Sequence, residues 1–451
     1  MPNQAQQKEA TALLASLVEG LETKTIKQER VRESLERLKI LGRDVNKVSA
    51  IYNVDGIKTL GSYAFENFSP SVNKEALRCL ANALLLLPTT RQHSIKLGLD
   101  KKATDALRDV TDDSEFVLSR ILFLLTYDPG IDIDTLLSNH ELAENIIKNL
   151  SRHAEQMRNS DHGSLTDQST MALIETLKLL FNVTSRKTTQ ASKFNPATSQ
   201  ILAILERINI MSPPLQPPVS LLINALANLD IDVEQMKASG TKSAIDKLIL
   251  VLERAVQALP ATELETAAIP LLTTLRNLNA VAPPDLRDSM KSRLLPDNEE
   301  RDQPLGKSSS LASQLLRLTT SSAMIKLSEA ISGLMFELSD KDASQYVQNV
   351  GYGYAAGYLM THKIPIPENV KGPQGNEESF NQIPINPITG QRLDKEPTVD
   401  LPEMTQEEKE REAERLFVLF ERLKATGVVD VQNPVDVARD SDRFEELSDE
   451  D

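Results

Sequence analysis

Asn82, Asn182 and Asn228 each stand four residues after a basic or polar side chain, namely Arg78, Lys178 and Asn224. Guanidinium and ammonium groups pair with carboxylates, and a carboxamide can both donate to and accept from a peptide backbone. That chemistry is recognition of a chain, not the making or breaking of bonds. The motifs that would argue for catalysis are defective. Gly351-Tyr-Gly353-Tyr-Ala-Ala-Gly357 follows helical sequence, lacks a βαβ frame and has its last glycine misplaced for a dinucleotide fingerprint. Gly306-Lys307-Ser308 resembles the end of a phosphate loop, but Arg301 stands where its first glycine is needed. His93, His140, His153, His162 and His362 show no metal-ligand spacing, and Cys79 is the single cysteine. No catalytic residue, metal or cofactor is therefore expected, and the chain is not read as an enzyme.

The elements that must carry these side chains are helices. In MALIETLKLLFNVTSR (Met171 to Arg186), Ile174, Leu177 and Phe181 fall at i, i+3 and i+7, so they share one side of a helix. Lys178 and Asn182 occupy a neighbouring strip. The Asn slot recurs in ALRCLANAL (Asn82), INALANLD (Asn228) and LTTLRNLNA (Asn277), with Thr126 and Glu337 in degenerate copies. Slots at 82, 126, 182, 228, 277 and 337 lie 44 to 60 residues apart, and polar insertions at 158–168 and 298–310 account for the two longest steps. A period of roughly 40 to 47 residues with two or three helices per unit is the range of armadillo and HEAT repeats, whose units bury their apolar faces only by stacking. The spacing predicts an all-α, armadillo/HEAT-like solenoid over residues 1–360. Pro88, Asp128-Pro129-Gly130, Pro213-Pro214, Pro217-Pro218, Pro260, Pro283-Pro284 and Pro296 mark its joints. Earlier, IKQERVRESLERLKILG places Val31, Leu35, Leu38 and Leu41 on one helical face, ending at Gly42. Lys39 and Arg43, again four apart, begin the basic strip there.

Composition agrees with many small Leu/Ala-packed layers. Of 451 residues, 40% are hydrophobic, only 4% are aromatic, and Trp is absent. One cysteine in an apolar helix excludes a disulfide framework and suits a reducing compartment. The N-terminus has no signal-peptide pattern, and the run Ala83 to Leu87 stops at Pro88, so neither a secretory leader nor a membrane span is expected. The protein is expected in the cytoplasm as a monomer. Its net charge of −15 argues against nucleic acid, which needs a basic stripe for its phosphates.

After residue 360 the texture changes. Residues 361–404 are rich in Pro and poor in large apolar groups, too few to offset ordering, and read as a flexible tether or an extended arm laid on the surface. Thr405-Gln-Glu-Glu408 has capping-box spacing and opens an amphipathic helix over 405–424, with Phe417 and Phe420 on its apolar face. That helix either caps the solenoid or grips a partner. Residues 425–451 form an acidic tail with nine acidic and two basic side chains. There Ser448, followed by Asp-Glu-Asp, fits an acidophilic kinase site, and a solvated acidic tail is the alternative. The Lys/Arg and Asn strip also leaves two readings open. Asn amides can tie one helix end to its neighbour, or the strip can be a ladder that holds an extended or helical ligand.

Six stretches together resemble one family, synembryn: LKILGRD (Leu38 to Asp44), EALRCLAN (Glu75 to Asn82), TLKLLFNVT (Thr176 to Thr184), VGYGYAAGYL (Val350 to Leu359), NPITG (Asn386 to Gly390) and EMTQEEKEREAERLFVLFERL (Glu403 to Leu423). The resemblance runs in order from about residue 35 to 425. It implies a guanine nucleotide exchange factor and folding chaperone for heterotrimeric G-protein α subunits. It further implies a concave face that takes the α subunit's C-terminal helix, while the C-terminal part meets the nucleotide domain. Carried over onto this chain, the partner-binding positions are Lys39, Arg43, Arg78 and Asn82, with Lys178 and Asn182 continuing the strip. In animal members the first of the pair is similar to Arg; Lys39 keeps the charge without the bidentate fork. The phosphorylated acidic stretch that animal members carry before NPITG is replaced here by GPQGNEESFNQIPI, so activation at that place is not expected. The alternative from the repeats alone is a peptide-binding adaptor without exchange activity. The absence of Trp argues against the nuclear-import kind.

Overall fold

The computed structural model describes residues 2–23, 26–48, 52–160, 163–186, 190–237, 240–365, 385–386 and 388–396, with isolated positions between 405 and 415. Two compact units divide the chain at Lys395 and Glu396. Within the described part of the first unit, regular structure is helical apart from one isolated bridge between Ile385 and Arg392. The fold is an armadillo-like α-solenoid.

Seven helices form one layer, each packing on the next: α1 (Gln28–Leu41), α2 (Pro70–Leu86), α3 (Asp112–Leu125), α4 (Asp167–Thr184), α5 (Val219–Ala227), α6 (Ala261–Val281) and α7 (Ile325–Leu338). A second layer runs behind them through Val54–Phe65, Leu142–Asn159, Ala197–Arg207 and Thr241–Ala258. Every Asn slot read from the sequence belongs to the first layer or its C-terminal edge. The reason is the stripe. Val31, Leu35, Leu38 and Leu41 are all buried on α1, and Gly42 caps its end, where the Tyr52 hydroxyl donates to the Gly42 carbonyl at 3.1 Å. A fully buried Leu contributes about 2 kcal/mol over an exposed one, so repeats of this kind hold together only while stacked.

On α4 the buried stripe is Leu173, Leu177, Leu180 and Val183, rotated from the series Ile174, Leu177 and Phe181. Both series share Leu177, and the helix is apolar most of the way round, so spacing alone does not choose between them. Phe181 comes to the surface, 36% exposed, on the side of the polar strip.

The prolines named as joints fall between helices or at their first residues: Pro88, Pro260 and Pro283 precede helices, and Pro284 opens Pro284–Leu294. Pro270 is different, lying inside α6. After α8 (Tyr352–Thr361), the NPITG stretch returns to the end of the solenoid. The Gly353 amide donates to Ile388 O at 3.1 Å, the Leu305 amide to Thr389 O at 3.1 Å, and the Arg392 amide to Arg301 O at 2.8 Å. Of the helix expected over 405–424, residues 409, 411, 412, 414 and 415 are described and are helical, and the rest from 416 on lies outside the described residues.

Candidate functional site

Lys39 sits in the last turn of α1, where a cation favours the negative end of the helix dipole, and Arg43 follows just beyond Gly42. Arg78 and Asn82 stand one turn apart on α2, as Phe116 and Arg120 do on α3. These six side chains line a single cavity of about 320 Å³ with Ala81 and Val117. The sequence reading found four of them. Arg120 and Phe116 escaped it because the α3 copy of the repeat carries Leu122 four residues before its Thr126 slot, and the cation has moved to 120. The Arg120 guanidinium lies 5.8 Å from the centre of the Phe116 ring, within cation–π range.

Beneath the cations lie carboxylates. Glu75, 6% exposed, receives Lys39 on one oxygen and Arg78 Nη1 on the other, the latter at 2.9 Å. Arg78 Nη2 reaches Asp113 Oδ1 at 3.0 Å, and Lys74 pairs with the same carboxylate. Burial alone would raise the Asp113 pKa. Hydrogen bonds from Lys74 and Gln168 and the nearby Arg78 charge outweigh it and hold the group below the ordinary carboxylate range. Glu175, 3% exposed, pairs through Oε1 with Lys178 Nζ at 2.9 Å and Arg120 Nη1 at 3.5 Å. Arg43 is exposed and has no ion-pair partner among the described residues.

The Asn side chains have a different task. Asn82 Nδ2 donates to Lys39 O at 3.2 Å, Asn182 Nδ2 to Thr126 Oγ1 at 2.8 Å and Asn228 Nδ2 to Ser185 Oγ at 2.8 Å. Each amide ties its helix to the end of the preceding one in the layer. On α6 the bond is made by Asn279, two residues past the Asn277 slot, and runs forward to Glu337 O at 3.4 Å. Lys178 and Asn182 do not line the cavity, but Lys178 is joined to it through Glu175 and Arg120. Asn228 lies farther along. Phe417, Phe420 and Ser448 lie outside the described residues.

A second polar cluster links α3, Leu142–Asn159 and α4. His153 is fully buried, with Nε2 at 3.0 Å from both Glu115 oxygens. Thr176 donates to Glu115 at 2.6 Å, and Arg152 bridges Glu115 and Asp112. Asp112, Glu115 and His153 are close enough to share a metal ion, a grouping that sequence spacing did not reveal. The Arg152 guanidinium already supplies the positive charge there, so the cluster serves as a cross-link between layers. Cys79 is equally structural: burial pushes its thiol up, and Sγ lies 3.3 Å from Leu35 O.

The glycine motifs are packing devices. Gly351 has φ +80°, and a Cβ there would stand 3.2 Å from Gly390 N and Ile388 O. Gly306 has φ +84°, and a Cβ would meet the Tyr354 hydroxyl at 2.2 Å. Two stretches singled out by resemblance, VGYGYAAGYL and NPITG, thus fold against each other.

The family model described as guanine nucleotide exchange factor synembryn matches residues 34–443. The chain belongs to the synembryn family. A synembryn-like chaperone of Schizosaccharomyces pombe is 28% identical over 408 residues, covering 82% of this chain and 76% of that protein. The chaperone Ric-8A of Macaca fascicularis is 25% identical over 472 residues, covering 94% and 86%. That of Xenopus tropicalis is 24% identical over 494 residues, covering 98% and 89%. Among solved structures, a designed armadillo repeat protein aligns at 12% identity and a TM-score of 0.40, over 62% of this chain and 99% of that one. Within this synembryn chain, no described helix is long and apolar enough to cross a membrane.

Proposed function

We propose that the chain is an exchange factor and folding chaperone for heterotrimeric G-protein α subunits, and that the strip from Lys39 to Lys178 receives the α subunit's C-terminal helix. The observation that carries this reading is the convergence of Lys39, Arg43, Arg78, Asn82 and Arg120 on one cavity in a chain of the synembryn family. Cations supply partners for carboxylates on the incoming helix, while Ile40, Leu85 and Phe181, exposed apolar groups on the same layer, offer contacts for its apolar face. Asn82, Asn182 and Asn228 support the surface by fixing helix to helix, with their remaining amide oxygens available to the ligand.

Exchange by this route is trapping. The α subunit's C-terminal helix braces its nucleotide pocket, and a protein that binds that helix when it is drawn away favours the nucleotide-free conformer. Linkage limits the effect to the difference in affinity between open and GDP-bound states, and GTP then displaces the complex. The same preference for an incompletely closed subunit makes a chaperone. The protein acts as a cytoplasmic monomer and reaches the plasma membrane through its partner. Neither a nucleotide cradle nor a catalytic acid belongs to this scheme.

The test is release of labelled GDP from a preloaded α subunit. Purified protein accelerates release, and Arg78→Glu abolishes complex formation while leaving helicity by circular dichroism intact. No acceleration by the parent protein, with or without prior phosphorylation, overturns the exchange reading. Unchanged binding by Arg78→Glu removes the strip as the partner surface.

A further inference from the structure

Glu75 and Glu175 occupy the same place in their repeats. Each stands three residues before a cation and seven before an Asn, as Glu75, Arg78, Asn82 and as Glu175, Lys178, Asn182. Each also takes a second cation from the preceding helix of the layer: Lys39 of α1 reaches Glu75, and Arg120 of α3 reaches Glu175. Both acids are nearly sealed from water, at 6% and 3% exposure, whereas the side chains of Lys39, Arg78, Arg120 and Lys178 are 21 to 35% exposed. The Oε2 atom of Glu175 is buried without a hydrogen-bond partner. A buried carboxylate left partly unpaired is unfavourable for folding, so what it does for Arg120 and Lys178 is the reason to look for a role outside stability.

We propose that Glu75 and Glu175 are positioning residues of the partner-binding strip, each holding two cations from successive helices so that their remaining N–H groups face one anionic group of the partner. The proposal rests on the reading of the strip as the partner surface. Long Lys and Arg side chains have many rotamers, and an acid below them removes that freedom before the partner arrives. Each trio carries one net positive charge yet presents two sets of donors. Recognition then depends on donor geometry more than on summed charge, which suits a carboxylate met by paired N–H groups. Arg120 connects the trios, because it lines the cavity with Lys39, Arg43 and Arg78 and also rests on Glu175.

Geometry and charge predict opposite signs, which makes the proposal testable. Glu75→Gln and Glu175→Gln keep the shape of the side chain and make the strip one unit more positive. If the acids position the cations, each variant binds the GDP-loaded α subunit on the order of tenfold more weakly, as expected for losing one well-aligned charge-assisted hydrogen bond. Glu175→Asp retains the charge but draws the carboxylate back, and it weakens binding in the same direction. Melting midpoints are recorded alongside; if one glutamine variant does not fold, the other and Glu175→Asp decide. Equal or tighter binding by the folded glutamine variants, with Arg78→Glu still inactive, overturns the positioning role and leaves the strip as the partner surface. Failure of the parent protein to bind the α subunit overturns the underlying reading as well.

Discussion

The two ends of the solenoid use charge in opposite ways. Around α1 to α4, cations rest on carboxylates and remain partly open to water, with Arg43 exposed beside them. At the far end Arg301 is 8% exposed and makes its bonds to backbone: Nη1 donates to Gly390 O at 3.0 Å, and Nη2 to Gln348 O at 3.0 Å and Asn349 O at 2.9 Å. Burial pulls its guanidinium below the ordinary arginine value, with the charges of Glu300 and Asp297 acting against that pull. Tyr346 packs edge to face with both Phe336 and Tyr358, and Phe336 and Tyr358 are tilted against each other, with ring centres 5.5 to 6.0 Å apart. One end therefore leaves its cations partly open to water. The other uses a cation to fasten Gly390 to the helix Ala343–Val350.

Arg301→Ala breaks this contrast most forcefully. It removes a charged donor from the buried Gly390 carbonyl and from the half-buried Gln348 and Asn349 carbonyls, together with the packing of a buried side chain, so the loss is about 3 kcal/mol of stability. Urea unfolding reads the loss directly, and limited proteolysis reads release of the NPITG stretch. A loss below about 1 kcal/mol would mean that the clasp is held by its backbone bonds alone.

Gly390→Ala sharpens the same side of the comparison. Gly390 has φ +68°, and a Cβ there would lie 2.4 Å from Leu305 Cδ1. Left-handed strain of about 1 to 2 kcal/mol combines with displacement of a buried Leu, for a loss of about 2 kcal/mol. The expected result is earlier proteolytic cleavage after residue 385 with GDP release from the α subunit as the second readout. If the clasp only secures the solenoid's end, exchange per folded molecule stays at the parent's rate.

How much of this was legible in the sequence differs between the ends for a physical reason. Helical periodicity exposed the layer of Asn slots, since a stripe and a polar edge recur in every stacked unit. Lys39, Arg43, Arg78 and Asn82 came from spacing together with family resemblance. Arg120 was missed because the cation had shifted two residues in a degenerate repeat, and side chains of that length tolerate the shift. Glu75 and Glu175 were missed because burial decides their meaning, and acids at helical spacing are ordinary on a solvated face. At the other end, GYG and NPITG were visible as motifs, but not as partners. Their contact is backbone to backbone across a long stretch of chain, and Arg301, which bonds to Gly390 O and to Gln348 O and Asn349 O just before the GYG stretch, carries no signal of that role in its spacing.

The smallest expected effect concerns a buried charge that lacks what Arg301 has. Asp100, 3% exposed on the helix Leu99–Ala106, has Oδ1 buried without a hydrogen-bond partner. Burial raises its pKa above the ordinary aspartate value, against hydrogen bonds from backbone amides and the charges of Lys101 and His140. A carboxyl whose folded-state pKa is raised binds its proton more tightly in the folded protein. Its ionised form is therefore a burden at neutral pH, and the burden lifts as pH falls through the folded value. Asp113, held below the ordinary range, acts with the opposite sign and loses its contribution in acid. Asp100→Asn removes the burden without moving Asp113, so the variant gains about 1 kcal/mol at pH 7. The gain shrinks as pH falls through the folded pKa of Asp100 and is gone below the ordinary aspartate value. Thermal melts of both proteins across that range read the difference. A gain independent of pH would place its origin in packing rather than in charge.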